Sequence, residues 1–375
     1  MRVCFFGTYE QDFVRNRTLV NGLRQIGWEV QECHVPLWEQ ERNKTGKYLK
    51  TFSLALRGLM LVVAYCRLLF QYFITVRSYD ILLVGYIGHL DIPLAWLLTR
   101  FPRRPLVFSP LISLYDTLVD DRNAFSEQSL MSRFLRWLDR WACNRSDLIL
   151  LDTEAHITYF VDTFELPRDK FVRVFVGAER QTLLPHPEQR EQVFRVVFLG
   201  KFTPLHGLEV MIEAARLLRT EPAIAFHFIG SGQLTEQIRS FASRQALPNV
   251  NFLDWVEYEQ IPAYLAQMDV CLGIFGTSGK ARRVIPSKVF LALALGKPII
   301  TADTPAIREL LTDGESALLC EPGNPEALSK RILHACQERE QLERIAETGH
   351  RAYLAYASEE QIGCVAGEAM RRLKK

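Results

Sequence analysis

Short, uninterrupted apolar runs alternate along this chain with longer stretches in which apolar residues recur every three or four positions. Val3-Cys4-Phe5-Phe6, Ile81-Leu82-Leu83-Val84, Leu106-Val107-Phe108 and Leu148-Ile149-Leu150-Leu151 show no polar alternation. Such runs suit strands of a parallel sheet buried on both faces. The alternation of runs and helical patterns restarts with Arg195-Val196-Val197-Phe198-Leu199-Gly200 and continues through 224–230, 270–272 and 298–300. Two doubly wound α/β units in series are therefore predicted.

The clearest predicted helix opens the second unit, where Leu208, Met211, Ile212, Ala215 and Leu218 fall at helical spacing with Glu209, Glu213 and Arg216 on other faces. Between the units, residues 178–193 carry Pro185, His186 and Pro187 among Gln, Glu and Arg with no apolar period, which predicts a linker. The expected organisation is a first Rossmann-like domain over 1–180, a linker over 181–193, a second Rossmann-like domain over 194–355, and a terminal helix over 356–375 that returns to the first domain.

The length of 375 residues agrees with two cores rather than one. A hydrophobic fraction of 48%, a charged fraction of 23% and a net charge of +2 describe an ordinary globular chain and give no reason to expect a nucleic-acid partner. The eight cysteines are scattered, without the close pairs that zinc or dithiol chemistry requires, so buried free thiols in a reducing cytosol are expected and no metal site. The first residues pass from Met1-Arg2 straight into an apolar run, unlike a secretory signal, so a cytoplasmic location is expected.

One stretch, 51–76, tests that expectation. It is apolar but interrupted by Arg57 and Arg67, which predicts a helix that does not span a bilayer. Two readings of it stand: a core helix of the first domain, or an interfacial helix whose Lys44, Lys47, Lys50, Arg57, Arg67 and Arg77 suit anionic lipid on the cytoplasmic face.

Ligands of open α/β sheets bind at the carboxyl ends of strands, where loops and helix N-termini turn N–H groups toward anions. Gly7 and Gly200 stand at such points. The loop Gly200-Lys201-Phe202-Thr203-Pro204-Leu205-His206-Gly207 leads from a buried strand into an amphipathic helix and carries a cation in its first turn, which suits a phosphate; the bland alternative is a structural turn with a solvated lysine. Residues 273–288 combine Gly276 and Gly279 with Lys280, Arg282, Arg283 and Lys288, enough flexibility and charge to clamp a diphosphate. In the first unit, His89 in Gly85-Tyr86-Ile87-Gly88-His89-Leu90-Asp91 and Asp116 in Leu111-Ile112-Ser113-Leu114-Tyr115-Asp116 follow strands. They are the candidates for orienting or deprotonating an acceptor hydroxyl, with Glu154 and His156 behind them. Against this, a lone histidine is commonly structural and an aspartate after a strand is commonly a helix cap.

The run 199–209, followed by Ile212-Glu213-Ala214-Ala215, resembles the start of the donor domain of glycosyltransferase family 4. In the same order come Phe228-Ile229-Gly230-Ser231-Gly232, Val250-Asn251-Phe252-Leu253-Asp254-Trp255-Val256, Pro286-Ser287-Lys288-Val289-Phe290, Ala294-Leu295-Gly296-Lys297-Pro298 and Asp313-Gly314-Glu315. The resemblance covers about 194–330 and only weakly the first domain. It implies a GT-B fold, with the two domains facing each other across a cleft. It also implies a metal-free, retaining transfer of sugar from a nucleoside diphosphate to an acceptor such as a saccharide or lipid-linked saccharide. Gly230 and Trp255 join the donor-site candidates on this ground, and the family's two phosphate-binding cations map onto Lys201 and His206. Two family glutamates with seven residues between them map onto Arg283 and Leu291, neither of which can accept a ribose hydroxyl bond as a carboxylate does. A remodelled donor loop, a non-catalytic binding protein and a sugar-nucleotide epimerase are the readings this departure leaves open. A nicotinamide-dependent dehydrogenase is not among them, since Gly7-Thr8-Tyr9-Glu10 lacks the spaced glycines of a dinucleotide turn.

Overall fold

The computed structural model describes residues 1–37, 51–101, 103–122, 124–181 and 193–374, with the side chains of 51–57 not described. Most of the predicted linker and the lysines at 44, 47 and 50 lie outside the described residues.

The chain divides into two compact units, Met1–Gly177 with Ser358–Lys375, and Ala178–Ala357. The first is built from β1 (Arg2–Gly7), α1 (Val14–Gln25), β2 (Glu29–His34), α2 (Thr51–Thr75), β3 (Ile81–Val84), α3 (Ile92–Arg100), β4 (Leu106–Phe108), α4 (Leu130–Arg145), β5 (Leu148–Leu151), α5 (Glu154–Phe164) and β6 (Phe171–Arg173). Its parallel sheet has the order β2-β1-β3-β4-β5-β6. The apolar runs account for β1, β3, β4 and β5, all buried. Each inner strand has both faces covered: Cys4, Phe6, Leu82, Val84 and Phe108 meet the α2, α3, α4 and α5 layer, while Val3, Phe5, Ile81, Leu83 and Val107 meet α1.

The second unit runs β7 (Phe194–Leu199), α6 (Leu208–Leu217), β8 (Ile224–Ile229), α7 (Thr235–Arg244), β9 (Val250–Leu253), α8 (Ile261–Ala266), β10 (Val270–Leu272), α9 (Gly279–Arg283), α10 (Ser287–Ala294), β11 (Ile299–Ala302), β12 (Leu318–Cys320), α11 (Pro325–Gln337) and α12 (Arg339–Tyr356). Its sheet order is β12-β11-β10-β7-β8-β9, all parallel. The predicted helix over 208–218 is α6, and its Leu208, Met211, Ile212 and Ala215 are buried in the core.

The helical tail breaks between Tyr356 and Glu359, where Ser358 caps α13 (Glu359–Arg372) by accepting a bond from the Gln361 amide. α13 packs along α1 in the first unit. Glycines bring the two backbones together: a Cβ on Gly22 would lie 2.1 Å from the Glu359 carbonyl oxygen, and one on Gly363 would lie 2.0 Å from the Gly22 oxygen. Glu359 fastens the contact by accepting bonds from Asn21 and Gln25 at 2.8 and 3.0 Å.

Candidate active site

In doubly wound sheets the crevice lies at the carboxyl ends of strands where the winding direction reverses. In the second unit, winding runs β7, β8, β9 to one side and β10, β11, β12 to the other, so the reversal falls between β7 and β10. The loop after β7 is held there by close backbone approaches. Gly200 has φ +148° and Gly230 φ +133°, and a Cβ on Gly230 would meet the Gly200 carbonyl oxygen at 2.0 Å. The Phe202 amide donates to the Ser231 carbonyl at 3.1 Å and the Leu234 amide to the Phe202 carbonyl at 2.9 Å. On the other side, the Phe275 amide donates to the His206 carbonyl at 2.9 Å, and a Cβ on Gly207 would sit 2.5 Å from the Phe275 carbonyl carbon. The glycines of this stretch are thus required where three loops touch.

Lys288, in the first turn of α10, points into the Gly200 turn: a Cβ at Gly200 would lie 2.8 Å from its Nζ. That ammonium nitrogen is covered, has no hydrogen-bond partner, and stands 3.7 Å from the centre of the Phe198 ring. Burial pulls its pKa well below the ordinary lysine range. Nearby, His206 Nδ1 lies 2.5 Å from the Lys201 carbonyl oxygen. A carbonyl only accepts, so the proton is on Nδ1 and Nε2 carries the lone pair when the ring is neutral. Neutral is the favoured form, because burial, then the Lys288 and Lys201 charges, push the His206 pKa well down. His206 therefore does not supply the cation that its position in the family pattern suggests; the charge here rests on exposed Lys201 and on Lys288.

α9 packs on the 204–206 turn and brings Gly279, Lys280 and Arg283 to the same region. Lys280 is buried, and a Cβ on Gly279 would meet the Arg283 guanidinium at 2.7 Å. Gly200, Lys201, His206, Gly230 and Lys288 thus gather at one crevice with α9 alongside. Trp255 stands apart from that crevice in the sheet order, 62% exposed beyond the edge strand β9. Among the described residues no cluster of three His, Cys, Asp or Glu side chains is arranged to hold a metal ion.

The first unit reverses between β1 and β3, and there the Asp91 side chain occupies the Gly7 turn. The Thr8 amide donates to Asp91 Oδ2 at 2.7 Å and the Thr8 hydroxyl reaches both carboxylate oxygens at 3.1 and 3.2 Å. A Cβ on Gly7 (φ +132°) would lie 2.4 Å from Asp91 Oδ2. The Gly7 turn thus closes around the Asp91 carboxyl group. Burial raises the Asp91 pKa to about 7. Asp91 lies in the 85–91 stretch, two residues from the favoured histidine, and nothing in its type or spacing marks it as the group that fills the turn.

His89 itself is buried, edge-on to Phe108, with Nε2 3.2 Å from Asp139 Oδ1. Asp139 in turn accepts bonds from the Ser113 hydroxyl and the Leu114 and Tyr115 amides. His89 thus sits beside the carboxylate that fixes the loop after β4. Asp116 is buried too, and its amide donates to the Ser113 hydroxyl at 2.9 Å. His156 is enclosed and bonded to Asp152 at 2.7 Å, while Glu154 forms an exposed ion pair with Arg168. The buried Arg15, absent from the sequence reading, ties the carboxyl ends of the sheet together through the Leu150, Val174 and Phe175 carbonyls and the Ser109 hydroxyl.

Residues 193–338 match the family model described as "Glycosyl transferases group 1". The chain is 23% identical over 214 residues to an uncharacterized glycosyltransferase of Methanocaldococcus jannaschii, covering 57% of this chain and 56% of that protein. It is 27% identical over 150 residues to the amylovoran biosynthesis glycosyltransferase AmsK of Erwinia amylovora, covering 39% and 37%. The chain thus spans between about a third and just over half of the length of the curated relatives it matches. Among solved structures, sucrose-phosphate synthase from Thermosynechococcus elongatus superposes with a TM-score of 0.74 at 15% identity, covering 100% of this chain and 99% of that one. The Anabaena protein HepE in complex with UDP gives 0.71 at 16% identity, covering 99% and 100%. The fold is GT-B. In GT-B terms, the matched stretch is the second unit, and it contains every residue of the Lys288 crevice.

Proposed function

We propose that the chain is a glycosyltransferase that takes sugar from a nucleoside-diphosphate donor bound at the Lys288 crevice and delivers it, with retention at the anomeric carbon and without a metal, to a saccharide hydroxyl. One observation carries the reading: a buried ammonium with no acceptor, aimed into a glycine turn at the reversal point of the sheet. A buried, unsatisfied cation costs stability, so its retention calls for an anionic partner. The N–H groups in the first turn of α10 receive no side-chain cap from Pro286 and would add to the attraction for that partner. Lys288 and Lys201 would neutralise the departing diphosphate, and His206 Nε2 would accept from a donor hydroxyl. The match of 193–338 to the family model and the UDP held by the similarly folded HepE support this choice of ligand. The acceptor falls to the first unit, where a saccharide carried on a lipid or a growing polysaccharide fits the biosynthetic roles named for AmsK and the lipopolysaccharide core glycosyltransferase LpsE of Rhizobium meliloti.

The test is thermal-shift titration of the chain with UDP, GDP and ADP and their sugars, with magnesium and with chelator. A chelator-insensitive rise for one nucleotide is expected, because a ligand of the folded state stabilises it by mass action. No rise with any nucleotide at millimolar concentration would instead favour the non-catalytic alternative.

A further inference from the structure

The outer side of the first unit is apolar and positively charged at one end. α2, α3 and α4 cover the same face of the sheet, since Ala64, Leu68, Ala95, Ala142 and Cys143 join one core cluster. Each helix runs back against the strands, so their carboxyl ends gather at the amino ends of β3, β4 and β5, opposite the end where substrates of such sheets bind.

Between the ends of α3 and α4 opens a pocket of about 360 Å³ lined by Trp96, Arg100, Arg103, Arg104 and Arg145. Among the described residues none of the four guanidiniums pairs with a carboxylate. Arg100 and Arg145 lie over the Trp96 ring at 5.0 and 4.8 Å, and Arg104 lies over Tyr79 at 4.4 Å. Asp147, which also lines the pocket, turns Oδ2 to the Leu106 amide at 2.8 Å. Four forked donors around one concavity, three of them held on aromatic rings, match the oxygens of a phosphate.

Phe70, Phe73 and Phe101 are 70, 74 and 84% exposed, with Ile74 and Leu97 beside them in sequence and also exposed. Neither 51–76 nor 92–104 contains an Asp or Glu. α2 includes a stretch, Gly58–Thr75, long and apolar enough to cross a membrane. Yet Ala64 and Leu68 are in the core, the Tyr65 hydroxyl donates to the Leu90 carbonyl, and Tyr72 and Tyr79 share a hydroxyl bond of 2.7 Å. One stripe of α2 is thus fixed to the sheet, and the opposite stripe faces outward.

We propose that this end of the first unit docks on an anionic bilayer, with the arginine pocket taking the phosphate of a phospholipid headgroup and Phe70, Phe73 and Phe101 entering the acyl boundary. Charge complementarity and the exposed phenylalanines select the same occupant: a free phosphate would use the arginines and leave the phenylalanines without a role. The surface stands independently of the transfer reading, because its readout is vesicle binding rather than turnover.

The experiment is sedimentation of the full chain with vesicles of phosphatidylcholine alone and with about one-third phosphatidylglycerol. Binding to the anionic vesicles, weakened by salt, is expected. Replacing Arg100, Arg103 and Arg145 together by Ser lowers the partition on the order of fivefold per arginine, about a hundredfold in all. Phe73→Ser with Phe101→Ser, at exposed positions that leave the core intact, lowers it at least tenfold. The same charge change made by Arg219→Ser, Arg344→Ser and Arg351→Ser in the second unit changes it less than twofold. Equal losses from both arginine triples, or wild-type binding by the pocket triple, would overturn the proposal. So would stabilisation by glycerol 3-phosphate without vesicle binding, which would make the pocket a site for soluble phosphate.

Discussion

Lys288 Nζ stands 3.7 Å from the centre of the Phe198 ring, and that aromatic face is the partner its charge has in the ligand-free protein. A cation over a ring recovers only part of the hydration it has lost. Lys288→Met, which keeps the stem and removes the ammonium, should therefore raise the melting temperature by several degrees, corresponding to about 1–3 kcal/mol. The same change should lower sugar transfer by a factor of about a hundred or more, the scale seen when one stabiliser of developing negative charge is removed. Melting curves and turnover on one preparation check both; a variant that loses stability and keeps its rate would remove Lys288 from the donor site.

Nucleotide binding should also take up protons. Burial lowers the pKa of Lys288 in the empty crevice, so the neutral amine gains population as pH rises, and a diphosphate beside Nζ favours the ammonium; the pKa therefore rises on binding. In calorimetry near pH 9, the apparent binding enthalpy should vary with the ionisation enthalpy of the buffer, with a slope showing net uptake. Lys288→Met should abolish that slope. The His206 pKa is held well down, so its ring stays neutral between pH 6 and 8 in the empty crevice.

How much of this could be read from residues alone differs from element to element. β1, β3, β4 and β5 announce themselves because strands covered on both faces need unbroken apolar runs. β2 and β6 do not: Glu29–His34 buries only Val30 and Cys33 at the sheet edge, and Phe171–Arg173 has only three residues. The Lys288 crevice was legible because glycines, cations and a strand end coincide in sequence. The first unit's crevice was not, since composition cannot tell which polar side chain of the 85–91 stretch turns inward. Asp91 does so to reach the Thr8 amide, and His89 does so to meet Asp139.

Gly230 and Gly27 separate two reasons for a glycine. Both have positive φ, but a Cβ on Gly230 would meet the Gly200 carbonyl oxygen at 2.0 Å, whereas one on Gly27 would meet nothing within 4 Å. Gly27→Ala should cost about 1 kcal/mol for its backbone alone. Gly230→Ala should cost roughly 3 kcal/mol or more, and should weaken nucleotide binding as well, because the Gly200 turn has to move. Denaturant unfolding gives the first comparison and nucleotide titration the second; equal costs at the two sites would mean that the loops around Gly200 can part freely.

Asp91 should make the first unit less stable as pH rises. Its pKa in the fold is about 7, above the value near 4 of an unfolded carboxyl. Below pH 4 the group is protonated in both states and contributes no pH dependence. Between pH 4 and 7 the unfolded chain gives up the proton first, so the folded state falls behind progressively; above 7 the penalty is complete, on the order of a few kcal/mol. Asp91→Asn keeps an oxygen to accept from the Thr8 amide and cannot ionise. Its melting temperature should match the wild type near pH 4.5 and exceed it by roughly 5–10 °C at pH 8. Parallel curves over that interval would show that the Thr8 amide and hydroxyl bonds hold the carboxylate ionised, and that burial does not dominate at the Gly7 turn.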